Sequence, residues 1–202
     1  EKQIKSRRHA TLGENLYFTS RSWNTSDFSN GGFEYIEISN VTKDEGIIGS
    51  KSIDVNKAPS RATTLLKEGD IILATTRPYL GAFTVVSEKY ANCVCSSGFA
   101  LVDKIKIPDI KKDFLLFYLK SPAGLRQMER RMTGGLYPAI VQEELEKILI
   151  PLPPLNVQQE IIQQVDEGRV KIAHEGEFSD RKSREIEAEM EALILGTKTI
   201  NT

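Results

Sequence analysis

An apolar run, Ile148-Leu149-Ile150, leads directly into Pro151-Leu152-Pro153-Pro154-Leu155 and then into Asn156-Val157-Gln158-Gln159-Glu160-Ile161-Ile162. Proline fixes φ near −65° and biases the residue before it to extended geometry, so Pro151, Pro153 and Pro154 cannot lie inside a helix or a central strand. The stretch is therefore a stiff connector between a strand and a helix. It predicts a compact body before residue 154 and a helical segment after it, held at a defined angle.

The 202 residues are 40% hydrophobic, enough for one domain with a real core plus an appendage. No run of about 18 apolar residues exists, and the basic Glu1-to-Arg8 segment has no apolar stretch behind it. The expectation is a chain with no signal peptide and no membrane span, located in the cytoplasm. Cys93 and Cys95, two apart in a strand-like run, point to one face and are poorly placed to bond each other. Both are expected to be reduced and partly buried. The overall charge of −1 does not advertise a nucleic-acid binder. Its distribution is uneven: residues 1–150 carry 21 basic against 18 acidic side chains, and residues 151–202 carry 6 against 10.

Along the chain, residues 1 to about 32 read as polar and irregular, ending in the loop Ser29-Asn30-Gly31-Gly32. Phe33 to Ile38 alternates as a half-buried strand, and further strands are expected over Ser60–Leu66, Ile71–Thr75, Ala82–Ser87 and Cys93–Val102. Lys67-Glu68-Gly69-Asp70 reads as a tight turn. From Asp113 the apolar period becomes helical, giving two short helices split near Pro122, and Leu145–Ile150 returns to strand. The tail predicts a helix with Asn156 as N-cap and an apolar stripe of Ile161, Ile162, Val165, Ile172, Ile186, Met190, Leu193 and Ile194. Gly168 and Gly176 weaken its middle, each by roughly 1 kcal/mol relative to alanine. The fold class is thus α+β: a mixed-sheet globular body followed by a long helical arm.

The usual catalytic kits are missing from the sequence. His9 and His174 lie near opposite ends, without ligand-like spacing. Pro108-Asp109-Ile110-Lys111 compresses both halves of a nuclease motif into four residues. Pro153-Pro154 is flanked by leucines rather than by the polar and aromatic partners of an amino-methyltransferase, and no phosphate-binding glycine loop is followed by Lys-Ser/Thr. A binding module is favoured over an enzyme, with no metal and no directly bound cofactor expected.

Two segments have the chemistry of DNA contact. Thr75-Thr76-Arg77-Pro78-Tyr79 places hydroxyls, a guanidinium and an aromatic on a stiff loop at a strand end. Arginine can bond guanine O6 and N7 together, and threonine can reach phosphates or a thymine methyl. Arg126, Arg130 and Arg131, followed by Thr133-Gly134-Gly135-Leu136-Tyr137, join helix-borne charge to a loop whose glycines permit close backbone approach, with Thr133, Gly134, Gly135 and Tyr137 the candidates. Lys89 and Ser97 are weaker candidates, as are Lys51 and Arg61. The alternative for each is an ordinary solvated loop or charged helix face. Trp23 reads as a core or interface anchor. For the tail, one reading is a helix folded back on its own domain; the other is a coiled-coil arm pairing through Ile161, Val165, Ile172, Ile186, Met190 and Leu193, because a single-stripe helix is not stable alone in water.

These pieces together resemble a known family. Phe33-Glu34-Tyr35-Ile36 with Ile38-Ser39, Gly69-Asp70-Ile71-Ile72-Leu73-Ala74-Thr75-Thr76-Arg77-Pro78, Phe114-Leu115 with Tyr118-Leu119, the Gly134-Gly135 loop, and Ile150-Pro151-Leu152-Pro153-Pro154-Leu155 with Gln158 and Ile161 are similar to the target recognition domain of type I restriction-modification specificity subunits. The resemblance implies a target recognition domain over residues 1–154 and a conserved spacer or dimerisation helix over 155–202. It implies a non-catalytic reader of double-stranded DNA that directs an adenine methyltransferase (modification) subunit and a restriction subunit to one half of a bipartite target. The partner subunits, not this chain, would use S-adenosylmethionine and ATP. With one head and one arm, the chain would be either part of a longer subunit or a half-subunit forming a homodimer. The competing readings are a protein–protein adaptor acting through its helical arm, and the recognition domain of a fused restriction-methylation enzyme.

Overall fold

The computed structural model describes residues 8–106, 108–175 and 180–196, and side-chain surroundings outside residues 8 and 171–184. The central sheet is β2 (Leu16–Thr19), β11 (Phe99–Ile105), β8 (Ile71–Ala74) and β9 (Phe83–Val85), in that spatial order and antiparallel throughout. All four residues of β8 are buried, which explains its uninterrupted Ile-Ile-Leu-Ala. The second sheet is ordered β6 (Lys51–Asp54), β3 (Gly32–Ile36), β10 (Val94–Ser96) and β7 (Ala62–Leu65), with β10 parallel to β3. The architecture is α+β with mixed sheets. A small pair, β4 (Val41–Thr42) and β5 (Gly46–Ile47), lies beside β9.

Helices α2 (Lys112–Lys120) and α3 (Pro122–Glu129) stand where the helical period places them, separated by Ser121, whose hydroxyl accepts from the Gly124 N–H as α3's N-cap. Phe114, Leu115 and Leu119 of α2 are fully buried in the main core. A satellite core lies over the second sheet, where the Trp23, Phe28 and Phe33 rings meet at 4.9–5.6 Å between centroids. Trp23 Nε1 donates to the Ala62 carbonyl at 2.8 Å, so this residue is the structural anchor.

Four local expectations are corrected. The N-terminal segment is not irregular: β1 (Arg8–Thr11), α1 (Leu12–Asn15) and β2 occupy it. Its signal was a capping box, in which Thr11 Oγ1 accepts from the Glu14 N–H and the Glu14 carboxylate accepts from the Thr11 N–H. The run Cys93–Val102 is two strands in different sheets, because the chain turns at Ser97-Gly98. Leu145 closes a one-turn helix, α4 (Gln142–Leu145), and the strand is β12 (Leu149–Leu152). Pro151 lies in β12, which pairs only with β1, in register His9↔Pro151, so its missing donor breaks no central ladder.

The helix after the prolines, α5 (Leu155–Glu175), starts at Leu155, with Asn156 inside its first turn rather than capping it. Gln158 anchors it instead. Its side chain is 0% exposed; Nε2 donates to the Asp109 and Pro153 carbonyls and Oε1 accepts from the Lys111 N–H. The long arm is built as two helices, with α6 (Asp180–Leu195) running back along α5. Ile161, Val165 and Met190 are buried in the head's own core, and Ile186 and Leu193 pack against it. The side chain of Ile172, and Gly176, lie outside the described residues. Lys43–Glu187 and Arg126–Glu191 ion pairs fasten α6 to the head.

Lys120 donates to the Lys43 carbonyl in the α2–α5–α6 angle, where burial first and Arg169 second push its amine down to about 8. Burial pushes the thiols of Cys93 and Cys95, both free and buried, up to about 11 and about 12. Between about pH 8 and 10.5 the unfolded Lys120 keeps a proton that the folded one has released, so stability rises with pH there. Above pH 9 the thiols oppose it, since they ionise in the unfolded chain while staying protonated in the fold.

Denaturant unfolding from pH 7.5 to 9 should therefore show a rise in stability that Lys120→Met abolishes. Two glycines in helices predict opposite signs for one substitution. A Cβ at Gly124 would come within 2.4 Å of the Tyr118 carbonyl oxygen and 2.6 Å of that of Leu119, so Gly124→Ala should cost about 1–3 kcal/mol or more. At Gly168 the nearest atom is Ile186 Cδ1 at 3.4 Å, an ordinary contact, so Gly168→Ala should stabilise by about 0.5–1 kcal/mol. Paired urea titrations of the two variants check both.

Candidate nucleic-acid interface

The C-terminal end of β8 is where the chain's contact chemistry collects. Beyond Ala74 the backbone leaves the sheet and Arg77 takes a left-handed conformation, φ 49° and ψ 52°. A short 3-10 turn, Pro78–Leu80, follows and is closed by the Gly81 N–H donating to the Pro78 carbonyl. A non-glycine residue in this region is uncommon and costs on the order of 1–2 kcal/mol. The neighbours hold it there: the Arg77 N–H donates to the Pro138 carbonyl at 2.8 Å, and the Ile140 N–H to the Thr75 carbonyl at 2.9 Å. Pro78 is buried while the Arg77 side chain is exposed.

These two bonds join segments about 60 residues apart in sequence. The second segment is itself a closed loop, with reciprocal Thr133–Ala139 backbone bonds of 2.8 and 2.9 Å. Gly134 turns it at φ 88°, where a Cβ would press to 2.9 Å from the Tyr137 carbonyl oxygen. A third segment joins at the Ser97-Gly98 turn. The Gly98 carbonyl accepts from both the Thr75 N–H and the Thr75 hydroxyl, at 2.8 and 2.9 Å, and the Ser97 N–H donates to the Arg61 carbonyl. The antiparallel register Phe99↔Ala74 puts this turn at the same sheet end as Arg77.

The structure thus brings Thr75, Thr76, Arg77, Tyr79, Ser97, Thr133, Gly134, Gly135 and Tyr137 to one end of the head. Their parts differ. Thr75's hydroxyl is engaged in the scaffold, and Thr76 pairs through its backbone with Ala139. Tyr79 is half-buried; Arg77, Ser97, Thr133 and Tyr137 are exposed. Helix α3 packs against the Pro78–Leu80 turn, which carries its arginines to the same side. Arg130 is exposed at its end. Arg131 donates back to the Gln127 carbonyl, and Arg126 is paired with Glu191 of α6.

Lys89 is not brought to this end. It stands beyond β9, beside the bonds Val86 N–H to Asp70 and Asn92 N–H to Leu66, at the opposite end of β8, with its amine over the Tyr90 ring at 4.9 Å. That end is an anchoring corner: the Asp70 carboxylate, 3% exposed, accepts from both Arg21 guanidinium nitrogens and from the Lys67 N–H. Sequence reasoning overlooked Leu136, which is 88% exposed beside Tyr137 at 76%, and Leu80 at 52%. The signal was present as two large apolar residues, Leu136-Tyr137, between a glycine pair and a proline with no periodic partner.

What the arrangement can do chemically is contact a polyanion. Hydroxyls, backbone amides and guanidinium groups sit on short, mutually bonded loops at one sheet end, where segments 126–141 carry three arginines against the single carboxylate of Glu129. Among the described residues no His, Cys, Asp and Glu side chains gather into a metal-holding group, and no helix is long and apolar enough to cross a membrane.

Comparison with known proteins accords with this geometry. The HindI specificity subunit of Haemophilus influenzae, a type I restriction enzyme, is 28% identical over 142 residues, 69% of this chain and 28% of that protein. The HsdS subunit of Thermoanaerobacter tengcongensis superposes with a TM-score of 0.71 at 29% identity, over 86% of this chain and 45% of that one. A chain from a structure describing complex assembly and conformational transition of the type I R-M system gives 0.71 at 28%, with the same coverage. The type I S subunit of M. genitalium shares the fold, with a TM-score of 0.53 at 13% identity, over 86% of this chain and 42% of that chain. The chain spans less than half the length of these relatives. Residues 15–173 match the family described as Type I restriction modification DNA specificity domain, a span that runs from α1 through the loops at the end of β8 and nearly to the end of α5, and the chain therefore belongs to that family.

Proposed function

We propose that this chain reads one half of a bipartite DNA sequence for a type I restriction-modification complex. The observation that carries the reading is the convergence of the Arg77 loop, the Ser97-Gly98 turn and the Thr133–Ala139 loop at one end of a head whose sequence matches the family over residues 15–173. The match favours this reading over an adaptor or a fused enzyme. In it the chain performs no chemistry itself. It holds a DNA adenine methyltransferase (modification) subunit, and with it a restriction subunit, at the right place; those subunits bring S-adenosylmethionine and ATP. Such a complex works on DNA in the cytoplasm.

Within the reading, Arg77 is the base-reading group and Arg130 a phosphate contact. Arg77 is exposed at the turn that follows β8, and exposed loops held by backbone bonds lose little entropy when DNA arrives. Gln158 and the prolines set the angle between the head and α5, and the helices are the surface toward the partner subunits and toward the second half-site. That second half is supplied by a homodimer partner or by a second domain of a longer subunit. Twofold pairing requires half-sites related by symmetry.

Methylome sequencing of cells expressing the chain with its modification subunit tests the whole reading: a bipartite methyladenine motif that depends on this chain is expected, and its absence under every pairing would return the adaptor to first place. In the assembled complex, Arg77→Ala should lower specific binding by about 1–3 kcal/mol. Arg77→Gly should lose binding equally but gain about 1 kcal/mol of stability, because glycine removes the left-handed penalty. Unchanged binding in both would take Arg77 out of the interface. Arg130→Ala should weaken binding to all sequences alike and reduce the slope of log affinity against log salt by about 1, measured by fluorescence anisotropy across a salt series.

A further inference from the structure

Leu136 and Tyr137 are the most exposed large apolar side chains among the described residues. The other exposed apolar side chains of the head, among them Tyr17, Ile48 and Leu149, are only about half exposed and occur singly, whereas these two are adjacent. They project from the tightest-held loop of the recognition end: Thr133 and Ala139 close its base, Pro138 accepts from Arg77, and Ile140 donates to Thr75. Leu80 and Val141, each about half exposed, flank them on the same stitched segments. The surrounding charge is cationic, with Arg77 and Arg130 exposed and outside any ion pair among the described residues.

A rigid apolar tip with Arg77 and Arg130 on the segments beside it is suited to a surface that is anionic outside and apolar between its layers. Stacked bases behind a phosphate rail have that profile; a protein groove that accepted Leu136 and Tyr137 would have to be acidic as well. We infer that Leu136 and Tyr137 form a wedge that enters the base stack of the half-site, with Tyr137 covering an unstacked base face and Leu136 occupying the opened step, while Arg77 reads an edge beside it. This deepens the DNA-reading assignment and rests on it. It adds a second source of sequence preference, since opening a step costs least at flexible pyrimidine–purine steps, so the half-site is read partly by deformability.

The loop's construction matches that role. A wedge must hold its shape against the stack, and the four backbone bonds anchor both of its ends. It must also be narrow: Gly134 permits the left-handed turn, and a Cβ at Gly135 would meet nothing within 4 Å, so the tip is free of neighbours on that side.

The test uses the chain assembled with its modification subunit and target duplexes carrying 2-aminopurine at successive positions of the half-site. The wild-type complex should raise fluorescence at the adenine that is methylated and at one further step. In the Leu136→Ala/Tyr137→Ala variant the second rise should vanish while the first persists, and affinity should fall about tenfold or more, as expected for a lost stacking contact. Tyr137→Ser alone should lose most of the second rise. A mismatch placed at that step should narrow the gap between variant and wild type. Both residues are exposed, so the thermal midpoint should not change. A single rise in the wild type, or wild-type affinity in the double variant, overturns the wedge and leaves DNA reading standing. Failure of the double variant to assemble with the modification subunit overturns it in favour of a protein-docking tip. No sequence-specific duplex binding by the wild-type complex overturns the DNA reading itself.

Discussion

One buried amide governs the geometry of this protein. Gln158 has no access to water, yet its side chain makes three hydrogen bonds to the main chain: to Pro153 at the end of β12, and to Asp109 and Lys111 ahead of α2. A buried amide left without partners costs on the order of 1–3 kcal/mol per group, so all three segments are held in one arrangement or none. The prolines remove rotational freedom from the connector, and Gln158 chooses which of the remaining orientations α5 adopts. The first turns of α5 then become part of the head's core through Ile161 and Val165. Body and arm meet at residue 155 in sequence, but energetically they share a core.

The loop-bearing end of the head depends on a different kind of constraint. Its side chains are exposed and pack little, so their positions come from backbone pairing between distant segments rather than from a core. The Thr75–Ile140 and Arg77–Pro138 bonds transmit the rigidity of β8, the most deeply buried strand, to loops that carry the polar chemistry. The left-handed strain at Arg77 is tolerated because the strand before it and the buried proline after it leave no alternative path.

How much of this was legible in the residues themselves varies with the range of the interaction. Strands β3, β7, β8 and β9 and helices α2 and α3 follow from local pattern: β7 alternates buried and exposed residues, while β8 is apolar throughout because all four of its residues are buried. Beyond that range the reading failed in identifiable places. A capping box of four residues was too short to register as a helix, and Ser97-Gly98 was passed over because the apolar run on either side looks continuous. Asn156 has good N-cap chemistry, but the helix is already under way there, since the Gln158 N–H donates to the Pro154 carbonyl, and the Gln158 side chain supplies the anchor. At the candidate site, Arg77 and Tyr137 were legible as chemistry. Their adjacency was not, since it rests on two hydrogen bonds across about 60 residues. Lys89 and Ser97 looked equivalent as loop residues, and only strand register separates them, one to each end of β8.

The pairing of β1 with β12 has a consequence for how such heads diversify. Arg8–Thr11 lies antiparallel to Leu149–Leu152, so the polypeptide enters the head and leaves it along one shared edge, next to the root of α5. Everything between those strands, including the Arg77 loop, the Ser97-Gly98 turn and the Thr133–Ala139 loop, is a single excursion from that edge. A different segment spliced between β1 and β12 would keep the shared edge and the prolines, but it would keep α5 at the same angle only if it also offered a main-chain carbonyl and amide where Asp109 and Lys111 now meet Gln158.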